Sequence, residues 1–284
     1  MEKTIAVLGG DRRMALLARL LAEDGHPVRT WGLAAFGMED TALEEATQAD
    51  RVVLPVPLSR GKNLNCTAAA LPLCGLFALL RPEQRLYAGG VKAADREAAA
   101  EFGLTLTDYL SREELAVRNG VPTAEGALAL AMREMDVTIS GTRALIIGWG
   151  RVAKACARLF GAAGARVCVT ARNLGQLAEA ESCGFEAFEL EQLFVRAGGF
   201  PLIINTVPAP VLTREIIEET RRGCLVIDLA SQPGGTDFAA AAELSRSAVH
   251  ALSLPGKCAP VTAGEIIAEA ALNIYNERSG RNVT

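Results

Sequence analysis

The stretch LIIGWGRVAKA, Leu145 to Ala155, decides the fold. An apolar strand runs into Gly148-Trp149-Gly150-Arg151-Val152-Ala153, a G-x-G-x-x-A turn, and an apolar helix follows. Gly148 allows the tight turn, Gly150 lets backbone approach a pyrophosphate, and Ala153 lets helix and strand pack closely. The new helix offers unpaired N–H groups and a partial positive charge to phosphate. The pattern predicts a dinucleotide site at Gly148, Trp149, Gly150, Arg151 and Val152. The bland alternative is a strand–helix turn with no ligand.

The next strand bears on which dinucleotide. It ends VCVTARN, with no carboxylate from Val167 to Asn173. An NAD site usually places Asp or Glu there, on the ribose 2′-hydroxyl. Arg172 and Asn173 stand in its place, and an arginine suits a 2′-phosphate. The expected cofactor is NADP, with NAD as the alternative. Two later strand ends point to the same crevice. INTVPAP offers Asn205, Thr206, Val207 and Pro208; DLASQPGGTDF offers Asp228, Ala230, Ser231, Gly234 and Gly235. Ligands of doubly wound sheets sit beyond such carboxyl ends. Turn chemistry alone also favours these residue types.

Outward from this turn the chain alternates. Six strand signals, from RALIIG to AVHAL, are separated by helical stretches, which predicts a doubly wound NAD(P)-binding Rossmann sheet. Upstream, TIAVL, PVRTW, RVVLPVP, LYAGG and LTLTDY alternate with helical segments in the same way. The fold class is α/β, with two open α/β domains. Expected boundaries are residues 1–120 for the first domain, 121–136 for an interdomain helix, 137–261 for the Rossmann domain and 262–284 for a C-terminal helix. Pro122 suits the first turn of the interdomain helix.

VLGGDRR, Val7 to Arg13, is a second glycine turn without the third small residue. A second dinucleotide is not expected there. An anion site at Arg12 and Arg13 competes with a structural reading in which Asp11 caps the helix. The chain has 284 residues, half of them apolar, and a formal net charge of −4. No dense Lys/Arg tract is present, so nucleic-acid binding is not expected. The longest apolar runs are near twelve residues and contain proline, too short for a membrane span. The N-terminus lacks a signal-peptide layout. Seven cysteines form no C-x-x-C and there are two histidines, so no metal site is expected. Cytoplasmic thiols fit this usage.

The motifs AVLGGDRR, VPTAEGALALAM, GWGRVA, VTARN, INTVP, DLASQPGGTDF and LPGKCAPVTAG, in this order from Ala6 to Gly264, resemble the dipicolinate synthase A-subunit family of endospore-forming bacteria. The resemblance implies a family-specific N-terminal domain and a Rossmann domain similar to those of hydroxyacid and alanine dehydrogenases. It implies a partner, the flavoprotein-like B-subunit of dipicolinate synthase, and oxidation of a dihydrodipicolinate-level precursor to dipicolinate in the cytoplasm of the mother cell. A homo-oligomer is expected. Such a site must hold two carboxylates. Candidates are Arg12, the loop with Ser59 and Arg60, and Asn119 and Thr123 near the hinge. Glu125 is the candidate proton acceptor, and a solvated helix face is its alternative. Lys62 and Lys257 are weaker candidates.

Two rival readings stay open. A 2-hydroxyacid or alanine-type dehydrogenase needs a His or Lys base near the nicotinamide, but His26 and His250 sit in a turn and a strand. A non-catalytic, nucleotide-binding protein that supports a partner enzyme needs no base.

Overall fold

β1 (Ile5–Leu8) is buried at all four positions, as expected of a parallel strand covered on both faces. Its side chains alternate between two cores: Ile5 and Val7 enter one, Ala6 and Leu8 the other. The computed structural model describes residues 3–278. It divides into two units, one built from the chain up to Ala116 together with the chain from Ala259 onward, the other from Val117–Cys258. Residues 1, 2 and 279–284 of the expected first and last segments lie outside the described residues.

In the first unit β1 is followed by α1 (Arg12–Glu23), β2 (Val28–Trp31), α2 (Leu43–Ala46) and β3 (Arg51–Val53). A short hairpin, β4 (Ser59–Arg60) and β5 (Asn63–Leu64), comes next, then α3 (Leu73–Phe77), β6 (Arg85–Ala88), α4 (Ala93–Ala100) and β7 (Leu106–Asp108). The strands form a parallel sheet of order β2-β1-β3-β6-β7. The expected strand RVVLPVP is cut short at Val53. The cis Val56–Pro57 bond lies just beyond it. The hairpin carries no alternating apolar pattern and is found only in the structure.

α5 (Glu113–Glu134) carries the chain from one unit into the next. It begins nine residues before Pro122, the residue expected in its first turn. Glu113 and Glu114 occupy the first turn, where acids suit the helix dipole. Pro122 cannot donate to the residue 118 carbonyl. The Thr123 hydroxyl donates to the Asn119 carbonyl beside it (2.6 Å).

The second unit continues β8 (Arg143–Ile147), α6 (Arg151–Ala162), β9 (Arg166–Ala171), α7 (Leu174–Ser182), β10 (Glu186–Glu189) and α8 (Leu193–Arg196). Then come β11 (Leu202–Asn205), α9 (Arg214–Glu219), β12 (Leu225–Asp228), α10 (Phe238–Glu243), β13 (Ser247–His250) and α11 (Leu254–Cys258). All six strands are parallel, in the order β10-β9-β8-β11-β12-β13. This is the Rossmann order, and its direction reverses between β8 and β11. Ala144 and Ile146 face a core completed by Ala153, Phe160 and the α5 residues Ala124 and Ala127. Leu145 and Ile147 face the other, with Phe188 and Phe200. The last helix, α12 (Pro260–Arg278), belongs to the first unit and packs on α1. Gly264 makes the approach close: a Cβ there would lie 2.8 Å from Leu16 Cδ2.

Candidate functional site

The β8–α6 turn lies where the second sheet reverses. Gly148 has φ +97°, and a Cβ there would sit 2.7 Å from Thr206 Oγ1 and 2.9 Å from Val207 Cγ2. Only glycine satisfies both constraints. Its N–H donates to the Thr170 carbonyl (2.8 Å), tying the turn to β9. Gly150, the residue before α6, differs. Its φ of −84° suits any residue, and a Cβ would meet nothing within 4 Å. The space above Gly150 is open, and α6 begins there with no side-chain cap. Its first N–H groups are left for an anion.

A cavity of about 580 Å³ opens over this turn. It brings together Gly148, Trp149 and Gly150, with Arg172 and Asn173 after β9 and Thr206, Val207 and Pro208 after β11. Thr170, Gln176 and Leu190 also line it and escaped the sequence reading. Thr170 is fully buried, yet its hydroxyl has no hydrogen-bond partner, and neither has the buried indole N–H of Trp149. The Trp149 ring packs in the core against Phe185, and both polar atoms are sealed within the fold. The open cradle and the free helix start fit a dinucleotide. Arg172 is exposed at the cavity edge, and no carboxylate is among the lining residues.

Other candidates stand elsewhere. Arg151 is exposed at the start of α6, and Val152 packs into the core, neither lining the cavity. The Asn173 carboxamide is already used, accepting from Gln176 N (3.1 Å) as the N-cap of α7. Asn205 is fully buried. It donates to Asp228 Oδ1 (3.0 Å) and the Val207 carbonyl (3.1 Å), and accepts from Val207 N (3.0 Å). Asp228, also fully buried, accepts four bonds in all: Asn205 Nδ2 and Ala230 N on one oxygen, Gly235 N and Thr236 Oγ1 on the other. Asn205 and Asp228 therefore have their polar atoms engaged in shaping the loops. Ala230 is buried with its carbonyl held by His250 Nε2 (3.0 Å), and Ser231 is exposed; neither lines the cavity. His250 is occupied by this contact and by stacking on Phe238.

Glu125 is not brought to the crevice. It lines a separate groove between α5 and α6, with Val121, Ala155 and Arg158. The helical turn of about 100° per residue sends Ala124 inward to the core and Glu125 outward to solvent. Asn119, on the same helix, is half-buried with an unpaired carbonyl oxygen, and Thr123 is bonded back to its backbone.

In the first unit Asp11 caps α1, accepting from Arg13 N (3.0 Å), and its carboxylate is held by the Arg13 guanidinium (2.7 Å). Burial by itself would raise the Asp11 pKa. The hydrogen bonds and charge of Arg13, with Arg60 adding positive charge, hold it below the ordinary carboxylate range. Arg13 Nη2 also donates to the Val56 carbonyl (2.8 Å), so Nε and Nη2 are engaged within the fold. Arg12 is exposed and lines a cavity of about 540 Å³ with Arg19 and Phe36. Ser59 is buried, donates to Asp95 Oδ2 (3.2 Å) and receives Lys92 Nζ (3.4 Å), so its hydroxyl is committed within the fold. Arg60 is exposed on the hairpin. Among the described residues no three His, Cys, Asp or Glu side chains gather as a metal site, and no helix is long and apolar enough to cross a membrane.

The family model for the N-terminal domain of the dipicolinate synthase A-subunit matches residues 4–110, and that for the S-adenosyl-L-homocysteine hydrolase NAD binding domain matches residues 123–250. The dipicolinate synthase A-subunit of Bacillus subtilis (strain 168) is 31% identical, over 96% of either chain. The crystal structure of the dipicolinate synthase A-subunit from Bacillus halodurans is similar with a TM-score of 0.90 at 29% identity, covering 96% of this chain and 97% of that one. The A chain of dipicolinate synthase from Bacillus subtilis gives 0.91 at 29% identity, covering 99% and 98%. With both units, their order and nearly every residue accounted for by one relative, the chain belongs to the dipicolinate synthase A-subunit family.

Proposed function

We propose that this chain binds NADP at the β8–α6 turn. Together with the B-subunit of dipicolinate synthase it then oxidises dihydrodipicolinate to dipicolinate, in the cytoplasm of the mother cell during spore formation. The observation that carries this reading is the cavity over Gly148 and Gly150, with Arg172 at its edge and no acid in its lining. The α6 start faces the pyrophosphate, and Arg172 pairs with the 2′-phosphate. NADP⁺, when bound, accepts the hydride that leaves the dihydropyridine ring. One proton is lost to solvent or a side chain, and the product ring becomes aromatic, so a strong base is not required. Arg12, free among the described residues, is the first-unit group best suited to a substrate carboxylate.

A second reading has its own support. The cavity lining contains no carboxylate, imidazole or amine. That lining is equally compatible with a nucleotide-binding component whose catalytic groups come from its partner. One experiment separates the two. Dihydrodipicolinate and NADP⁺ are supplied to this chain alone and with the B-subunit, and NADPH absorbance is followed. Signal from the chain alone supports catalysis here, and signal only with the B-subunit supports shared catalysis. A product that forms without NADP⁺ sinks the hydride role. For the cofactor itself, Arg172→Asp should weaken NADP binding about tenfold or more and turn the preference toward NAD. An unchanged preference by calorimetry refutes the role of Arg172.

A further inference from the structure

The cavity of about 540 Å³ in the first unit is lined by two arginines, and no acid is among its described lining residues. Arg12 and Arg19 lie seven residues apart on α1. Seven residues are nearly two full turns, so both stand on one side of the helix, about 10 Å apart along its axis. Arg12 makes no hydrogen bond or ion pair among the described residues. Arg19 is anchored: its Nη2 donates to the Phe36 carbonyl (3.0 Å) and to the Gly37 carbonyl (3.5 Å). Those bonds leave its Nε and Nη1 unused, and no carboxylate pairs with it among the described residues. Every other lining residue is apolar, among them Leu16 of α1, Phe36 of the turn after β2, and Val261 of the first turn of α12, a turn that holds no acid. All of them belong to one unit.

The chain has more acids than bases, with a net charge of −4. Elsewhere on the first unit arginines find acids: Arg29 meets Glu45, and Arg81 meets Glu83. Two arginines left together without one, over apolar walls, suit an anionic ligand. Their separation selects its class. A lone carboxylate or phosphate satisfies one guanidinium, whereas two acid groups held apart on a short apolar body satisfy both. We propose that this pocket holds a small dicarboxylate, one acid group on Arg12 and the other on Arg19, with its body against Phe36 and Leu16. The identity of that dicarboxylate, dipicolinate or its dihydro precursor, rests on the proposed function; the pocket itself requires only the two acid groups. Arg19 is the specificity-determining residue, because the carbonyls that anchor it fix where the second carboxylate lies.

Calorimetric titration of the full chain with dipicolinate, without nucleotide, tests it. Dipicolinate binds, and picolinate, which has one carboxylate, binds at least about tenfold more weakly. Arg12→Gln and Arg19→Gln each raise the dipicolinate dissociation constant about tenfold or more. Ala35→Glu, at an exposed wall residue, sets an acid in the pocket and abolishes binding while the Arg19 anchor stays in place. Arg222→Gln, at an exposed arginine of the second unit, removes the same charge and leaves binding unchanged. Far-UV circular dichroism matching the wild type shows that the variants fold. Absence of dipicolinate binding overturns the proposal. So does picolinate or inorganic phosphate binding as tightly as dipicolinate, binding that survives Arg19→Gln, or an equal loss in Arg222→Gln. The pocket and the proposed oxidation fail separately. Dipicolinate bound through both arginines, with no NADPH formed even with the B-subunit, removes the oxidation and leaves the pocket. NADPH formed by Arg19→Gln at the wild-type rate at low substrate removes the pocket and leaves the oxidation.

Discussion

Two glycines two residues apart have different physical jobs. Gly148 is held by the fold: its positive φ and the nearness of Thr206 and Val207 exclude a side chain. Gly150 is not required by the fold: its backbone is ordinary and its Cβ direction is empty, and the proposed ligand supplies the reason for it. Gly148→Ala should therefore destabilise the chain by about 2–4 kcal/mol, combining strain with overpacking, and lose dinucleotide binding as well. Gly150→Ala should change stability by less than about 1 kcal/mol while still weakening binding. Thermal unfolding and calorimetric titration of the two variants check this pair. Equal destabilisation by both would mean that Gly150 is also a packing glycine. The sequence pattern treats the two alike, because a glycine pattern records where side chains are missing and not why.

At the scale of elements, the connection from β12 to α10 is built around one buried carboxylate. Asp228 receives four donors, two on each oxygen. A carboxylate alone presents acceptors on both sides. Asp228→Asn turns an NH₂ group toward donors whichever way the amide is placed, and should cost about 1–3 kcal/mol. Asp228→Ala strands the donors altogether and should cost about 3–5 kcal/mol. Denaturant unfolding measures both, and a neutral Asp228→Ala would contradict this account. The same reasoning applies to Asn205 and Asn173, legible as loop residues after strands, whose amide groups have structural work in the fold. Their amides close the loop and the helix that they begin. Helix α5 shows the opposite failure. Its first nine residues lack a strong apolar period, and Pro122 signals a start. The acidic first turn and the burial of Leu115 extend it backward instead.

Over the whole molecule, burial sorts six of the seven cysteines into two classes, with Cys66 half-buried between them. Cys156, Cys168 and Cys224 are buried inside the second unit, and burial pushes each thiol up to about 12. Cys74, Cys183 and Cys258 are exposed. At neutral pH the buried three hold on the order of a thousandfold less thiolate than an ordinary thiol. Alkylation followed by mass spectrometry should label the exposed three in the native chain and the buried three only after unfolding. Labelling of Cys156 or Cys168 at the same rate as Cys74 would show that the second unit opens far more readily than its packing implies. What the sequence by itself determined is the local chemistry: two runs of strand–helix alternation, a dinucleotide turn at Gly148, and an arginine where an acid is usual. Those signals depend on residues near each other along the chain, so periodicity and spacing carry them. What only the tertiary structure decided is which polar groups remain free. Arg172 stays exposed at the cavity edge, Ser59 and Asp228 are consumed within the fold, and Glu125 lies in another groove. A hydrogen bond is settled by partners far away in sequence, 23 residues for Asn205 with Asp228 and 36 for Ser59 with Asp95. Residue type announces the capacity to bind, and the folded surroundings determine whether that capacity is already spent.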